Sequence, residues 1–389
     1  MIGGGITGAG ILRDAALRGL RAALLEKGAF ASGTSSRSSK LIHGGIRYLE
    51  HLQLGLVREA CRERATLLRT APTLVRPLPF LLPVYRGASR GRWKIQLGLW
   101  LYERLAGRDN LPPHRALQPP EVERLAPGLR RDSLRATFLY YDAQADDAAL
   151  TRAVIDSAVR HGAVAAEEME VLGFEKENGR IVAVRTRDRR TGEILQLRAR
   201  VFLNASGPWT DATCRLDDPQ ASPKLRLTKG AHAVLEKSRL PVEAGVLLFA
   251  PQDGRVFFIL PWKEKTLIGT TDTDFTGSPD EVLATPEDVD YLLRAASHYF
   301  PDLELKPSDV VGSFAGLRPL LHQEGGGASA VSREHQIFES ASGLTTIAGG
   351  KLTTYRRMAE EAVDVVVRRL GEGGNAKIFG PCRTAEISI

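Results

Sequence analysis

The 389-residue sequence has few cysteines, namely Cys61, Cys214 and Cys382. They are odd in number, widely spaced and form no Cys-x-x-Cys pair, which argues against a disulfide framework and a zinc site. The sequence also lacks an apolar run of about 18 residues, the length that spans a bilayer, and a signal-peptide pattern at its N-terminus. These absences predict a chain in a reducing cytoplasm that is neither secreted nor integral to a membrane.

Aromatic residues are also scarce, at 6%, whereas glycine occurs 38 times. With 43% apolar and 25% charged residues, the chain can bury a full core. This composition suits an α/β protein of two or three domains with many tight turns, rather than a coiled coil or a disordered chain. The net charge of +7 predicts a surface that attracts phosphorylated metabolites, anionic lipids or nucleic acid, and charge alone does not choose among them.

A glycine-rich loop near the N-terminus leads into a predicted helix. Gly3, Gly5 and Gly8 have the spacing Gly-x-Gly-x-x-Gly, which permits a tight turn and lets a pyrophosphate approach the helix N-terminus. An apolar strand then ends at Glu26, about 20 residues further on, where a carboxylate can bind ribose hydroxyls. The alternative is a glycine-rich turn followed by a solvated acid. We interpret the combination as a dinucleotide site.

Only Met1 and Ile2 precede this loop. In a doubly wound sheet the strand at this position lies centrally and is longer. We therefore expect that residues are missing upstream, rather than that the fold is different.

The segment of residues 31–50 is rich in hydroxyls, glycines and cations that can line a long anionic ligand. An NAD site needs no such extension, whereas FAD must run past a second loop to place its ring in the protein. Residues 34–50 closely resemble the flavin-binding segment of the membrane-associated, FAD-dependent glycerol-3-phosphate dehydrogenases. Further stretches resemble the same family in the same order, so that the resemblance covers nearly the whole chain: residues 204–209, 229–232, 255–262 with 268–272, 316–320 and 348–356.

The resemblance implies an α/β fold. Its FAD-binding domain is Rossmann-like, of the glutathione-reductase and D-amino-acid-oxidase type, and carries an inserted mixed-sheet α+β substrate domain. The expected FAD-binding segments are residues 1–78, 141–215 and 319–389, and the expected substrate segments are 79–140 and 216–318. Family members usually continue into a helical C-terminal domain, which we expect this chain to lack.

The family resemblance also implies the site residues. Those expected to bind FAD are Gly3, Gly5, Ile6, Thr7, Gly8, Glu26, Lys27, Thr34, Ser35, Ser36, Ser39, Lys40, Leu41, His43, Gly44, Gly45, Val171, Ala205, Gly207, Gly316, Arg318, Gly350, Lys351, Leu352 and Thr353. Those expected to bind substrate are Arg47, Tyr48, Arg255, Thr270, Arg333 and Lys351. No metal site is expected.

Two residues are expected to be catalytic. His232 is the candidate general base, because imidazole titrates near neutral pH. Arg318 remains cationic and could stabilise the alkoxide that develops from the substrate alcohol. A histidine with a structural role and a surface salt bridge are the respective alternatives. Lys351 could hold the substrate phosphate or lie at the pyrimidine edge of the flavin.

A predicted helix over residues 90–105 carries apolar side chains on one side with cations around them, a pattern that suits helices lying in a membrane interface. The alternative is a helix packed in the core of the substrate domain. The apolar residues are Trp93, Leu97, Trp100, Leu101 and Leu105, and the cations are Arg92, Lys94 and Arg104.

The family resemblance implies oxidation of glycerol 3-phosphate to dihydroxyacetone phosphate, with electrons passing to a membrane quinone. It further implies peripheral attachment to the anionic inner face of the cytoplasmic membrane, allows a homodimer and involves no nucleic acid. Two alternatives remain open. One is an oxidase of the same fold that acts on glycerol 3-phosphate or on amino or hydroxy acids, and the other is a non-catalytic flavin-binding protein.

Overall fold

The computed structural model describes residues 1–87, 90–107, 111–322, 335–371 and 379–389. The helices within these residues are α1 Ile6–Leu17, α2 Leu54–Thr70, α3 Arg92–Ala106, α4 Pro119–Leu125, α5 Asp147–Arg160, α6 Thr210–Asp217, α7 Pro286–Tyr299 and α8 Tyr355–Leu370. The first nine strands are β1 Ala23–Leu25, β2 Leu41–Ile42, β3 Val75–Tyr85, β4 Arg115–Ala116, β5 Leu134–Ala145, β6 Val164–Ala166, β7 Met169–Glu177, β8 Arg180–Asp188 and β9 Ile194–Arg198. The others are β10 Phe202–Asn204, β11 Leu225–Glu236, β12 Gly245–Phe249, β13 Val256–Trp262, β14 Lys265–Gly269, β15 Thr273–Asp274, β16 Val310–Leu321, β17 His335–Glu339 and β18 Leu344–Gly349.

The first sheet is mainly parallel and is completed by Ile2. Strand β1 pairs with β6, and β10 pairs with β18, both in parallel, while β17 adds an antiparallel edge. Ile2 forms parallel bridges to Leu25 of β1 and to Asn204 of β10. Its backbone N–H donates to Leu203 O at 2.8 Å, and its carbonyl accepts from Ala205 N at 2.8 Å. Ile2 therefore takes the central position that joins the two halves of the sheet.

Helix α1 is buried between α5 and α8, because its sequence is apolar or small on nearly every side. Ala9, Ile11 and Leu12 are almost completely buried. A Cβ on Gly10 would lie 2.8 Å from the ring of Tyr355 in α8, which is too close for two carbon atoms. Glycine at this position thus allows α8 to pack directly on the helix that follows the nucleotide loop.

The second sheet has ten strands in the order β15-β11-β14-β13-β12-β3-β5-β2, with β16 paired to β11 and β4 paired to β5. All its pairs are antiparallel except β12 with β3, so that this sheet is mixed, as expected. Helix α7 covers one face with Leu292, Leu293 and the adjoining Phe300, which belong to a large apolar core. Burying each such side chain contributes roughly 1.5–3 kcal/mol.

The predicted domain boundaries fall inside helices and strands and not in linkers. The predicted boundaries at residues 78/79, 140/141 and 318/319 fall inside β3, β5 and β16, and the boundary at 215/216 falls inside α6. Domain boundaries usually fall in exposed linkers, and a boundary inside a strand or helix leaves no such signal in the sequence. The assignment of the five segments to two domains stays a prediction.

Local patterns fold as their sequences indicate. Asp146 caps α5, because its side chain accepts from Ala149 N at 3.1 Å. Asn178 and Gly179 both have positive φ, at 49° and 76°, and connect β7 to β8 in a two-residue hairpin.

Helix α3 has two different faces. Leu99, Tyr102 and Ala106 are buried, whereas Trp93 is 79% exposed, Leu97 64% and Trp100 47%. Of the residues predicted to lie on the apolar side, Leu101 and Leu105 are half-buried. The helix thus packs on the core with one face and presents an exposed apolar stripe with the other. Within the described residues, no helix is long and apolar enough to cross a membrane.

Candidate flavin and substrate site

The nucleotide loop is shaped by glycines that approach other backbone atoms. Gly3 has a φ of +108°, and a Cβ on it would lie 2.6 Å from the carbonyl oxygen of Ala205. A Cβ on Gly8 would overlap the carbonyl oxygen of Gly3 itself. Gly5 then caps α1, whose first backbone N–H groups carry partial positive charge. The loop fits a pyrophosphate, since a larger residue at these positions would close it.

Glu26 ends β1 beside this loop. One carboxylate oxygen, Oε2, accepts from Gly4 N at 2.6 Å, and the other accepts from Gly28 N at 2.9 Å. These bonds hold the carboxylate at the carboxyl end of the strand, where an acid binds ribose hydroxyls in dinucleotide sites.

A cleft of about 630 Å³ runs along this edge of the parallel sheet. It gathers many of the predicted cofactor residues, although they lie far apart in the sequence. Those that line it are Gly3, Gly5, Ile6, Thr7, Glu26, Lys27, Thr34, Ser35, Val171, Ala205, Gly207, Gly350, Lys351 and Leu352. The structure therefore forms one elongated site from segments near residues 5, 35, 205 and 350.

The segment of residues 34–37 connects the cleft to the second sheet. Ser35 Oγ accepts from Ile6 N at 2.9 Å, and Thr34 Oγ1 donates to Leu317 O at 2.7 Å. A Cβ on Gly316 would lie 2.8 Å from the carbonyl oxygen of Arg37. The predicted residue Gly316 thus fits closely against this segment.

Gly44, another predicted cofactor residue, is held by a buried polar cluster. Its backbone N–H lies 2.9 Å from Tyr102 Oη and 3.1 Å from Asp142 Oδ1. The same carboxylate oxygen accepts from Arg64 at 2.5 Å and from Tyr102 at 2.7 Å. Burial raises the pKa of Tyr102 well above its usual range, so that the phenol stays a donor. The preceding residue, His43, is held by Thr353, because its backbone N–H donates to Thr353 Oγ1 at 3.1 Å.

Two predicted cofactor residues are engaged with the protein itself. The Lys40 ammonium donates to Asp147 Oδ1 and to Ser36 O, each at 2.6 Å. Leu41 lies in β2 and is buried in an apolar cluster. A buried lysine needs an opposite charge, and Asp147 at the start of α5 provides it.

His232 lies on β11 and is almost completely buried, with 3% exposure. Its Nε2 is 2.8 Å from Ser39 Oγ, and its ring stacks on Phe314 with centroids 4.7 Å apart. Nδ1 has no hydrogen-bond partner among the residues that the structure describes. Burial, followed by the positive charges of Arg318 and Lys40, lowers the pKa of His232 from 6.5 to about 3. The imidazole is therefore neutral at physiological pH.

Arg318 lies on β16 and bonds to the turn that follows β14. Its Nη1 donates to Asp272 Oδ1 at 3.0 Å, and its Nη2 donates to Thr270 Oγ1 at 2.9 Å. The predicted catalytic arginine and the predicted substrate threonine are thus in direct contact.

The other predicted phosphate ligands fall into two places. Arg255 is 45% exposed at its side chain and bonds to Asp253 and to the carbonyl oxygen of Asp272. The Lys351 ammonium lies 3.9 Å above the ring of Tyr48, which follows Arg47 in the chain. Arg333 lies outside the described residues.

Three site residues were not predicted from the sequence. Asp272 ends the 268–272 motif and pairs with Arg318, whereas Trp209 and Asp280 line the cleft near Lys27. The Lys27 ammonium is 2.6 Å from Asp280 Oδ1 and 4.3 Å above the Trp209 ring. Asp272 and Trp209 belong to motifs that were recognised, but only the pairing in the folded chain reveals their partners.

A protein that holds a dinucleotide along a parallel sheet, and presents a neutral histidine from a second sheet, has the architecture of a flavin-dependent oxidoreductase. The sequence profile of the FAD dependent oxidoreductase family matches residues 1–356, and the chain belongs to this family. Its cofactor is FAD, which the glycine loop and the elongated cleft fit.

Relatives with known names support a narrower assignment. Proteins named aerobic glycerol-3-phosphate dehydrogenase from Staphylococcus aureus (strain NCTC 8325 / PS 47) and Staphylococcus epidermidis (strain ATCC 12228 / FDA PCI 1200) are 39% identical over 396 residues. The match covers 100% of this chain and 70% of each relative. The predicted resemblance to glycerol-3-phosphate dehydrogenases is confirmed.

Solved structures agree with this assignment. A glycerol-3-phosphate dehydrogenase from Bacillus halodurans complexed with FAD has a TM-score of 0.80 and 38% identity. The alignment covers 99% of this chain and 66% of that chain, so that the chain spans about two thirds of the length of this neighbour. An L-alpha-glycerophosphate oxidase from Mycoplasma pneumoniae with FAD bound has a TM-score of 0.71 at 18% identity, and shares the fold alone.

Proposed function

We propose that the protein oxidises sn-glycerol 3-phosphate to dihydroxyacetone phosphate. The observation that carries this proposal is the buried, neutral His232 beside the guanidinium of Arg318, next to the FAD-binding segment. The names of the relatives at 38–39% identity support the same reaction.

Oxidation of a secondary alcohol removes a hydroxyl proton and a hydride from the carbinol carbon. FAD, when bound, accepts that hydride. His232 takes the hydroxyl proton on the unprotonated nitrogen of its imidazole, because the neutral ring keeps a lone pair there. Arg318 stabilises the oxygen as negative charge develops on it. Ser39 and Phe314 hold the imidazole in a fixed orientation between them.

We assign phosphate binding to two places. One is Arg255, an exposed cation near Arg318, and the other is the pair of Arg47 and Lys351. Phosphate recognition needs several cations or backbone donors. Arg333 belongs to the same proposal on the family resemblance alone. Lys351 retains its second assignment at the pyrimidine edge of the flavin, since it also lines the cleft proposed for FAD.

We further propose that the protein binds the inner face of the cytoplasmic membrane through α3 and passes its electrons to a quinone. The support is the exposed stripe of Trp93, Leu97 and Trp100, with Arg104 against the Trp100 ring at 5.3 Å. Tryptophan and cations are typical of surfaces that lie at the lipid headgroups.

Product analysis tests the reaction and the acceptor together. With glycerol 3-phosphate and a soluble quinone, we expect dihydroxyacetone phosphate and reduced quinone in a 1:1 ratio, with little hydrogen peroxide. One peroxide per turnover in air would instead indicate an oxidase. Turnover of glycine or proline, but not of glycerol 3-phosphate, would reject the proposed substrate.

A further inference from the structure

We propose that Asp272 is a positioning residue, which fixes the guanidinium of Arg318 relative to His232. This inference rests on the proposed function, because the stabilisation of the alkoxide by Arg318 is part of that proposal. Asp272 does not contact the reacting atoms itself in this account. It acts through Arg318.

Three acceptors from one turn hold the guanidinium. Asp272 Oδ1 accepts from Nη1 at 3.0 Å, while Thr270 Oγ1 and Thr271 O accept from Nη2 at 2.9 and 3.1 Å. The side chain of Asp272 is only 13% exposed, and that of Arg318 is 21% exposed. An ion pair this shielded, with bonds to both guanidinium nitrogens, restricts the plane of the group far more than a surface pair does.

The turn itself is fixed to the strand that carries His232. Thr271 N donates to Ala231 O at 3.3 Å, and Thr271 Oγ1 accepts from Ala231 N at 2.9 Å. Beneath it, Asp288 accepts from Thr271 at 3.3 Å and from Lys229 at 2.6 Å. Because Ala231 immediately precedes His232, the turn and the imidazole share one rigid support.

Gly230 provides the space for this arrangement. A Cβ on Gly230 would overlap Nη2 of Arg318 and would lie 2.6 Å from Thr270 Oγ1. The guanidinium thus lies directly on the backbone of β11, two residues before His232. A side chain at this position would push the guanidinium away from the turn.

Asp272 contacts a second cation through a different atom. Its backbone carbonyl accepts a hydrogen bond from Arg255, while its carboxylate accepts from Arg318. The same residue therefore aligns the arginine proposed for the alkoxide and one proposed for the phosphate.

The carboxylate has two opposing effects on the substrate. It orients Arg318, which favours the transition state, and it offsets positive charge near a dianionic ligand, which weakens binding. Removing only the charge should therefore lower the rate of flavin reduction without weakening ligand affinity. General damage to the site would lower both.

The test compares Asp272→Asn with Asp274→Asn. Asp274 lies two residues further on, in β15, and pairs with Arg226 at 2.7 Å, so that the control removes the same charge from a neighbouring position. For Asp272→Asn we expect anaerobic flavin reduction by glycerol 3-phosphate to slow roughly tenfold or more. We expect the dissociation constant of dihydroxyacetone phosphate to stay the same or decrease. Asp274→Asn should match the wild type in both.

Gly230→Ala is a second variant, in which the added Cβ should displace the guanidinium and slow flavin reduction as well. Asp272→Glu keeps the carboxylate and should recover part of the rate lost in Asp272→Asn. A wild-type rate in Asp272→Asn, or a rate loss matched by an equal loss of affinity, would overturn the positioning role. If the wild type does not oxidise glycerol 3-phosphate, the proposed function fails separately. In that case crystal structures decide the inference, since a displaced Arg318 in Asp272→Asn supports it and an unmoved one overturns it.

Discussion

The residue on which the proposed chemistry depends most is His232, a buried imidazole between a serine hydroxyl and a phenylalanine ring. Loss of a general base removes an interaction made only in the transition state. His232→Ala should therefore slow flavin reduction by roughly 10²–10⁴-fold, with little change in substrate affinity. Stopped-flow absorbance under anaerobic conditions measures this rate directly. Reduction at the wild-type rate would refute the base assignment.

The proposed phosphate ligands should behave differently from the base. Phosphate is held much alike in the ground and transition states, so that Arg255→Ala or Arg333→Ala should mainly raise the Michaelis constant. Each substitution should also reduce the preference for glycerol 3-phosphate over glycerol, while His232→Ala should not. Steady-state kinetics with both substrates measures the preference. An undiminished preference in the arginine variants would exclude them as phosphate ligands.

The neutral state of His232 also predicts how stability depends on pH. The pKa is about 3 in the folded protein and 6.5 in the unfolded chain, so that the unfolded state binds the proton first as the pH falls. The contribution of the neutral His232 to the free energy of unfolding is present above pH 6.5 and is lost on acidification. The free energy of unfolding should therefore fall by about 2 kcal/mol between pH 7 and pH 5.

His232→Gln, which does not titrate, should lose this part of the pH dependence in urea unfolding. His161→Gln, at an exposed histidine, serves as the control and should retain the wild-type slope. The same slope for His232→Gln and the wild type would show that His232 does not account for the effect.

At the scale of the element, α3 joins an exposed apolar stripe to the loop around Gly44 that is predicted to bind FAD. Its inner face holds Gly44 through Tyr102, while its outer face carries Trp93, Leu97 and Trp100. Replacing the three outer residues with glutamine should release the protein from anionic vesicles. Activity with a soluble dye acceptor and the melting temperature should stay unchanged, because these side chains contribute little to the core.

Strand β9 provides a matched control for the vesicle experiment. Ile194 and Leu197 are 52% and 37% exposed, and their replacement by serine removes apolar surface elsewhere on the molecule. The β9 variant should sediment with vesicles as the wild type does. Equal binding by the α3 variant would reject α3 as the attachment surface.

The sequence predicted those elements whose signals are local. The glycine-rich loop and the helix after it follow from neighbouring residues, and the structure confirms both. The cap of α5 and the hairpin at Asn178 are local in the same sense. The pairing of β16 with β11, which brings Arg318 close to His232, depends on contacts about 90 residues apart and leaves no local pattern.

For the same reason the site was predicted only in part. Motif resemblance identified Arg318 and Thr270, but not that Asp272 binds the guanidinium. It assigned Lys40 to the cofactor, which stays a prediction, but it did not indicate that a carboxylate 107 residues away binds the ammonium. Partners of buried charges are chosen by the folded chain, and residue type alone does not reveal them.

At the scale of the whole molecule, the chain is an FAD-dependent oxidoreductase, and we propose that its parallel sheet and mixed sheet bring FAD together with a phosphorylated alcohol. The most direct measurement of this claim is the flavin absorbance of the purified protein under anaerobic conditions. Addition of glycerol 3-phosphate should bleach the oxidised flavin band, and the same concentration of glycerol should leave it almost unchanged. A protein that retains FAD but keeps its oxidised spectrum with glycerol 3-phosphate would contradict the account.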